Sequence, residues 1–254
     1  MSPRRPVRAW IGKPHLDPSE LGGPRGLTEE VLHEQEEAAP RDNEDDDGFW
    51  ESLLTPQRLE RIDAVISARL ESVTAVLDRL LDAHNVAAVL RTAEGLGLAR
   101  VHVVRHDARD ATAHRRVTQD ADKWLDVRIH RSGAQAARDL VRDGFAVYAG
   151  HLDAQARPYT GIEADGPVAL LFGNEHEGPS PETLSACTGT FRIPMAGFTQ
   201  SFNVSVAAGI ALSQICSLRR AFLQSAGDLS PHQRGELRSR FLRLAAKLAR
   251  RMRR

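Results

Sequence analysis

From Thr55 onward the apolar residues fall into two alternating spacings. Leu59, Ile62, Val65 and Ile66 recur at helical intervals behind Thr55, a candidate N-cap, and Pro56, which fits a first helical position. This predicts a short amphipathic helix. The run Val73 to Leu77 then reads as a strand, Asn85 to Gly95 as a helix and Val101 to Val104 as a second strand, an alternation typical of a parallel α/β sheet. Downstream the pattern predicts a helix over Ala134 to Val141 and strands at Phe145–Ala149, Val168–Phe172 and Thr190–Ile193. Two long helices follow, Asn203 to Leu223 and Pro231 to Arg251.

Composition sets the ends of the chain apart from its middle. At 254 residues and 41% hydrophobic content there is enough sequence for one full core with some length left over. Formal charge is zero, yet acids concentrate at residues 29 to 47 and bases in the last twenty residues. The expected division is a disordered acidic extension over 1–48, a folded α/β domain with a leading helix over 49–225, and a basic C-terminal helix over 226–254. Cys187 and Cys216 have no CxxC spacing and lie among small or apolar residues, so free buried thiols of a reducing, cytoplasmic compartment are expected. No early apolar run resembles a signal peptide, and hydropathy predicts no membrane span. The histidines His102 and His106 fall across a strand and its exit, where i,i+4 does not put both rings on one helical face, so no metal is expected.

Three segments carry candidate chemistry. HNVAAVLRTAEGLG, residues 84 to 97, is a small-residue helix bearing one arginine and ending in glycines. LLFGNEHEG, residues 170 to 178, is a buried strand that stops at a glycine and opens into a carboxylate-bearing loop. IPMAGFTQSFNVSVAAGIAL, residues 193 to 212, is a turn-rich loop running into a helix whose alanines and glycine permit close packing. Two such loops are expected to share one pocket. No Glu/Asp-x-Gly-x-Gly-x-Gly turn follows the first strand, and Gly95 and Gly97 sit where a helix C-cap is expected, which disfavours a Rossmann-type methyltransferase or dehydrogenase.

In this order, the three segments resemble the SPOUT superfamily of S-adenosylmethionine-dependent RNA methyltransferases, in particular the TrmH branch, over roughly residues 50 to 250. TPQRLERIDAVISAR, residues 55 to 69, and the basic terminal helix point to the tRNA ribose branch. The resemblance implies a parallel sheet flanked by helices with a C-terminal trefoil knot, a homodimer, and tRNA as partner. It implies methylation of the ribose 2'-hydroxyl of a D-loop guanosine, with S-adenosylmethionine bound by Gly150, Leu171, Gly173, Ile193, Met195 and Phe202. By the same likeness Arg91 is the catalytic arginine, and Asn85, Glu175, Ser201 and Asn203 complete the site. A guanidinium stays protonated near neutral pH, so Arg91 is expected to grip phosphate and stabilise developing charge rather than remove a proton.

RNA is expected along the terminal helix at Arg238, Arg243, Lys247 and Arg250, extended by Arg115, Arg116 and Lys123. Ala83, Asp82, Gly150, Phe202 and the stretch Asp120-Ala121-Asp122 depart from the tRNA branch, and two acids near the RNA face would repel phosphate. Two alternatives therefore stay open: a ribosomal RNA ribose methyltransferase, and a SPOUT-like dimer that binds RNA without turnover.

Overall fold

The computed structural model describes residues 47–105 and 121–252, with backbone only at 121, 122 and 250–252. In chain order the main elements are α1 (Asp47–Ser52), α2 (Pro56–Ser67), β1 (Val73–Asp78), α3 (Ala83–Gly95), β2 (Arg100–Val104) and β3 (Asp126–His130). There follow α4 (Gly133–Arg142), β4 (Ala146–Gly150), β5 (Arg157–Pro158), β6 (Val168–Phe172), α5 (Pro181–Ala186), β7 (Gly189–Arg192), α6 (Val204–Leu223) and α7 (Pro231–Met252). Among the described residues the strands form one seven-stranded sheet in the order β3-β2-β1-β6-β4-β7-β5. Every pairing is parallel, with Val73 opposite Val168 and Leu77 opposite Phe172 at its centre. β6 and β7 are each inserted between strands laid down earlier in the chain.

The predicted elements appear within one or two residues of their expected ends, and the caps explain several boundaries. Thr55 accepts a hydrogen bond from Arg58 N–H at 3.3 Å and starts α2, while Asp82 accepts from His84 N–H at 2.8 Å and starts α3. β3 was not among the predicted elements: Asp126–His130 alternates charged and apolar residues at an edge, where Arg100 and Arg128 each approach Asp126 at 2.9 Å. The acidic extension was placed through residue 48, but Asp47 and Gly48 already belong to α1, whose Trp50 is buried. Residues 1–46 lie outside the described residues.

Three apolar clusters hold the layers. α3 and α6 cover one sheet face, where Val89, Leu90, Leu212 and Ile215 pack on Leu77, Leu170 and Phe172. α4 covers the other through Ala136, Ala137 and Leu140. The third cluster joins α1, α2 and α7 through Trp50, Ile62, Ile66, Phe241 and Leu242. Burying one side chain such as Phe241 contributes about 2 kcal/mol. α6 is long and apolar enough by composition to cross a membrane, a helix the hydropathy reading passed over, yet Ala208, Ala211, Leu212, Ile215 and Cys216 face the core. Cys216 is buried and Cys187 half-buried, both are free, and burial pushes each thiol up to about 11.

Candidate active site

The carboxyl ends of parallel strands are where α/β sheets gather loops, and three loops converge there. They follow β4 at Gly150, β6 at Gly173 and β7 at Ile193, and with Asn203 and Val204 at the start of α6 they enclose a cavity of about 370 Å³. Its apolar wall is Leu152, Phe172, Phe191, Ile193, Met195 and Phe202, and its polar groups include Asn174, Gln200, Ser201 and Asn203. Size and composition suit a small organic molecule. Gly173 is required here: a β-carbon would collide with Pro179 N and come within 2.5 Å of Gly178 C, so only glycine lets the loop fold back on the strand end.

Hydrogen bonds between small polar side chains fix the loops. Glu175 accepts from Asn85 Nδ2 at 2.9 Å and from Leu81 N–H at 2.9 Å, and Asn85 Oδ1 accepts from Asn203 Nδ2 at 3.0 Å. One chain of contacts therefore links the start of α3, the loop after β6 and the start of α6. Burial works against the Glu175 charge, but the hydrogen bonds from Leu81 and Asn85 outweigh it and hold the carboxyl below its ordinary value. Asn174 folds the same loop: its Oδ1 accepts from His176 N–H at 2.9 Å and Glu177 N–H at 3.1 Å, while its Nδ2 donates to Arg79 O at 3.2 Å. Arg79 itself has φ of 57°, a left-handed turn anchored at the end of β1.

Of the residues expected to hold a cofactor, Gly150, Gly173, Ile193, Met195 and Phe202 line the cavity. Leu171 does not; its side chain points to the opposite sheet face, among Ala136 and Leu140 in the core beneath α4. Among the expected catalytic residues Glu175, Ser201 and Asn203 line the cavity and Asn85 joins them through its hydrogen bonds. Asn203 also caps α6, accepting from Ser205 N–H at 2.9 Å and Ser205 Oγ at 2.6 Å. Arg91 lies on the exposed side of α3, outside the cavity lining. Six residues separate it from Asn85, or 600° of helix, so the two side chains leave the axis in different directions. Leu152, Phe172 and Phe191 were not anticipated as lining: strand-end aromatics read as core, and only the loop crossings open one side of them to a cavity.

The RNA expectations meet a different environment. Arg238 pairs with Glu51 and with Asp63 at 2.8 Å, which raises its already high pKa further, and the Nε of Arg243 is buried without a partner. Lys247 is exposed, Lys123 is half-buried, the Arg250 side chain and residues Arg115 and Arg116 lie outside what the structure describes. Asp82, feared as a repulsive acid, is engaged as the α3 cap. Among the described residues no group of three or more potential metal ligands gathers; His102 and His130 pair at 2.8 Å across β2 and β3, and His106 is outside them.

A parallel sheet whose carboxyl-end loops close on a cavity, tied by a Glu175–Asn85–Asn203 chain of hydrogen bonds, defines an α/β protein with a small-molecule site at its strand ends. Residues 72–213 match the SpoU rRNA Methylase family, and the chain belongs to it. It is 36% identical over 158 residues, 62% of this chain and 81% of the relative, to a tRNA (guanosine(18)-2'-O)-methyltransferase of Thermus thermophilus. The same-named protein of Borreliella burgdorferi is 30% identical over 201 residues, covering 79% of this chain and 91% of that one. A 23S rRNA (guanosine-2'-O-)-methyltransferase of Acinetobacter baylyi is 33% identical over 160 residues, 62% of this chain and 64% of that one. Among solved structures, the Aquifex aeolicus TrmH/SpoU tRNA modifying enzyme superposes with a TM-score of 0.67 at 25% identity, covering 74% of this chain and 96% of that one.

Proposed function

We propose that this protein is an S-adenosylmethionine-dependent tRNA methyltransferase that methylates the ribose 2'-hydroxyl of guanosine 18 in the D-loop. The observation that carries the reading is the cavity itself, set where three loops meet within the family-matched segment 72–213, in a chain whose relatives are named for that reaction. The residues present fit the cofactor. Leu152, Phe191, Ile193 and Phe202 offer an apolar slot, Gly150 and Gly173 leave main chain open to edge hydrogen bonds, and Gln200, Ser201 and Asn203 suit a polar tail. When bound, S-adenosylmethionine supplies a methyl group on a sulfonium.

The chain's own groups then have to place the ribose hydroxyl in line with that methyl and stabilise the charge that develops on oxygen. Arg91 is assigned this work: its planar guanidinium grips the neighbouring phosphate and stays charged throughout. Glu175, Asn85 and Asn203 order the loops around the cavity, and Ser201 faces into it. Since Arg91 leaves the α3 axis away from its own cavity, the reading places it at the cavity of a second copy of the chain. The incompletely buried α6, with Val206 exposed, and the exposed Phe198 and Phe202 beside it support a homodimer. The insertion of β6 and β7 between earlier strands supports a trefoil knot within a methyltransferase domain over 49–225, followed by the basic helix α7. A compartment shared with tRNA, the cytoplasm, follows from the same substrate.

The test is to incubate the protein with labelled S-adenosylmethionine and unmodified tRNA transcripts, then digest the RNA and identify the methylated nucleoside. Appearance of 2'-O-methylguanosine at position 18 is expected. Transfer to ribosomal RNA fragments alone would favour the second reading, which the similarity to the Acinetobacter relative supports.

A further inference from the structure

α3 runs from the cavity to the opposite end of the sheet. It starts at Asn85, within the relay to Glu175 and Asn203, and its 13 residues span about 20 Å before the chain turns into β2. There its last turn meets a guanidinium with 1% exposure, that of Arg69, between α2 and β1. Arg69 Nη2 donates to Glu94 Oε1 at 2.9 Å and Trp124 O at 3.3 Å, and Nη1 donates to Leu98 O at 2.8 Å and Glu94 O at 3.3 Å. Its other side lies 5.8 Å from the centre of the Phe241 ring of α7. A second guanidinium, from Arg220 of α6, donates to Leu96 O at 2.7 Å and Ala68 O at 3.2 Å, so the turn after α3 is held from two sides.

A buried charge is expensive unless paired, and removing one partner of such a pair is strongly destabilising. A core that needed only packing here would be served by an apolar side chain. What Arg69 does that an apolar residue does not is join three segments at fixed angles: the end of α3, the segment Trp124–Leu125 before β3, and α7. Arg240 of α7 repeats the link, donating to Lys123 O at 2.9 Å and Leu125 O at 2.7 Å. Glu94 stands three residues after Arg91, one helical turn along the same side of α3. Fixing Glu94 therefore fixes the rotation of the helix that carries Arg91.

We infer that Arg69 and Glu94 form a positioning pair for methyl transfer, locking α3 to the layer of α1, α2 and α7 so that Arg91 is held in the orientation the reaction needs. The inference rests on the proposed function for its chemistry, and on the ion pair for its geometry. Neither Arg69 nor Glu94 touches substrate or cofactor in this account. A displacement of about 1 Å in a positioned group can cost a hundredfold in rate, so a change small enough to leave the fold intact has a measurable effect.

The experiment compares the full chain with Arg69→Lys and Glu94→Gln, which keep most of the volume and remove the fork or the charge. Two readouts are taken well below each variant's melting temperature. The first is the single-turnover rate of methyl transfer to a tRNA transcript at saturating S-adenosylmethionine, beside the cofactor Kd. A roughly tenfold to hundredfold fall in rate with cofactor Kd unchanged, and losses that do not add in the double variant, are expected. Unchanged rates in folded variants would overturn the inference and leave the proposed function standing. The second readout is the Arg91 Nε–H resonance. If the wild-type chain transfers no methyl group, the proposed function fails, and the resonance decides the pair on its own. A shift toward the position of a free arginine in both variants supports the pair, and an unmoved resonance overturns it.

Discussion

The two ends of the sheet are built from opposite materials. At the carboxyl end the cavity is shaped by main chain, glycines, apolar side chains and short amides, with Glu175 the sole acid among its lining residues. At the amino end, the layer of α1, α2 and α7 is dense in charge, but its charges answer each other: Arg238 with Glu51 and Asp63, Arg69 with Glu94, Arg240 with two carbonyls. A site that must hold a small cationic molecule and a polyanion in turn is better made of neutral dipoles fixed in place than of charges that would favour one of them permanently. Charge counted along a sequence is therefore a poor index of where the substrate lies.

The comparison breaks most readily at Arg91. Arg91→Ala is expected to lower single-turnover methyl transfer roughly a thousandfold, about 4 kcal/mol of transition-state stabilisation, while S-adenosylmethionine affinity by calorimetry stays unchanged. Equal loss of affinity would mean that Arg91 holds the cofactor rather than the phosphate beside the target ribose.

The strands joining the two ends carry the next effect. Burial, then the neighbouring His130, push the His102 imidazole down to about 4. The folded chain keeps it neutral where the unfolded chain, near 6.5, takes up a proton. Its contribution to stability is thus full above pH 6.5, falls as the pH drops toward about 4 and then levels off, about 3 kcal/mol in all. Denaturant unfolding at pH 7 and pH 4 should show the wild type losing about that much more than His102→Gln. Parallel losses in the two would deny the imidazole pair this role.

Gly173→Ala tests the cavity end by geometry alone. The added methyl has no room against Pro179, so the loop must shift, and cofactor affinity is expected to fall about thirtyfold, near 2 kcal/mol. At the other end Arg238→Ala should change little: an exposed ion pair of this kind contributes less than about 1 kcal/mol, and thermal unfolding should move by a few degrees at most. A large loss there would mean the layer's charges matter more to the fold than their exposure suggests.

Much of this was legible in the residues. The strands β1, β4 and β6 are short, mainly apolar runs, unbroken in β6, and α2 and α3 announce themselves by caps and spacing. β3 was not, because a strand on a sheet edge can carry Asp126, Arg128 and His130 when neighbours pair them, and only the fold supplies those neighbours. Two of the cavity's loops, after β6 and between β7 and α6, were legible as glycine- and amide-rich breaks after apolar runs, whereas the loop after β4 came only from the family resemblance. Strand alternation turns the Leu171 side chain away from the cavity into the core, a step that the apolar run alone does not show. The partners of the basic face of α7 were not legible for a different reason: the acids that pair with Arg238 lie 175 and 187 residues away in sequence, beyond any local pattern.

The central claim is that the cavity end transfers a methyl group to one ribose hydroxyl. It is tested most directly with a tRNA transcript carrying a single 2'-deoxyguanosine at position 18. The account predicts binding like that of the unmodified transcript and no methyl incorporation, whereas incorporation at the normal rate would place the reaction on a base or at another nucleotide and contradict it.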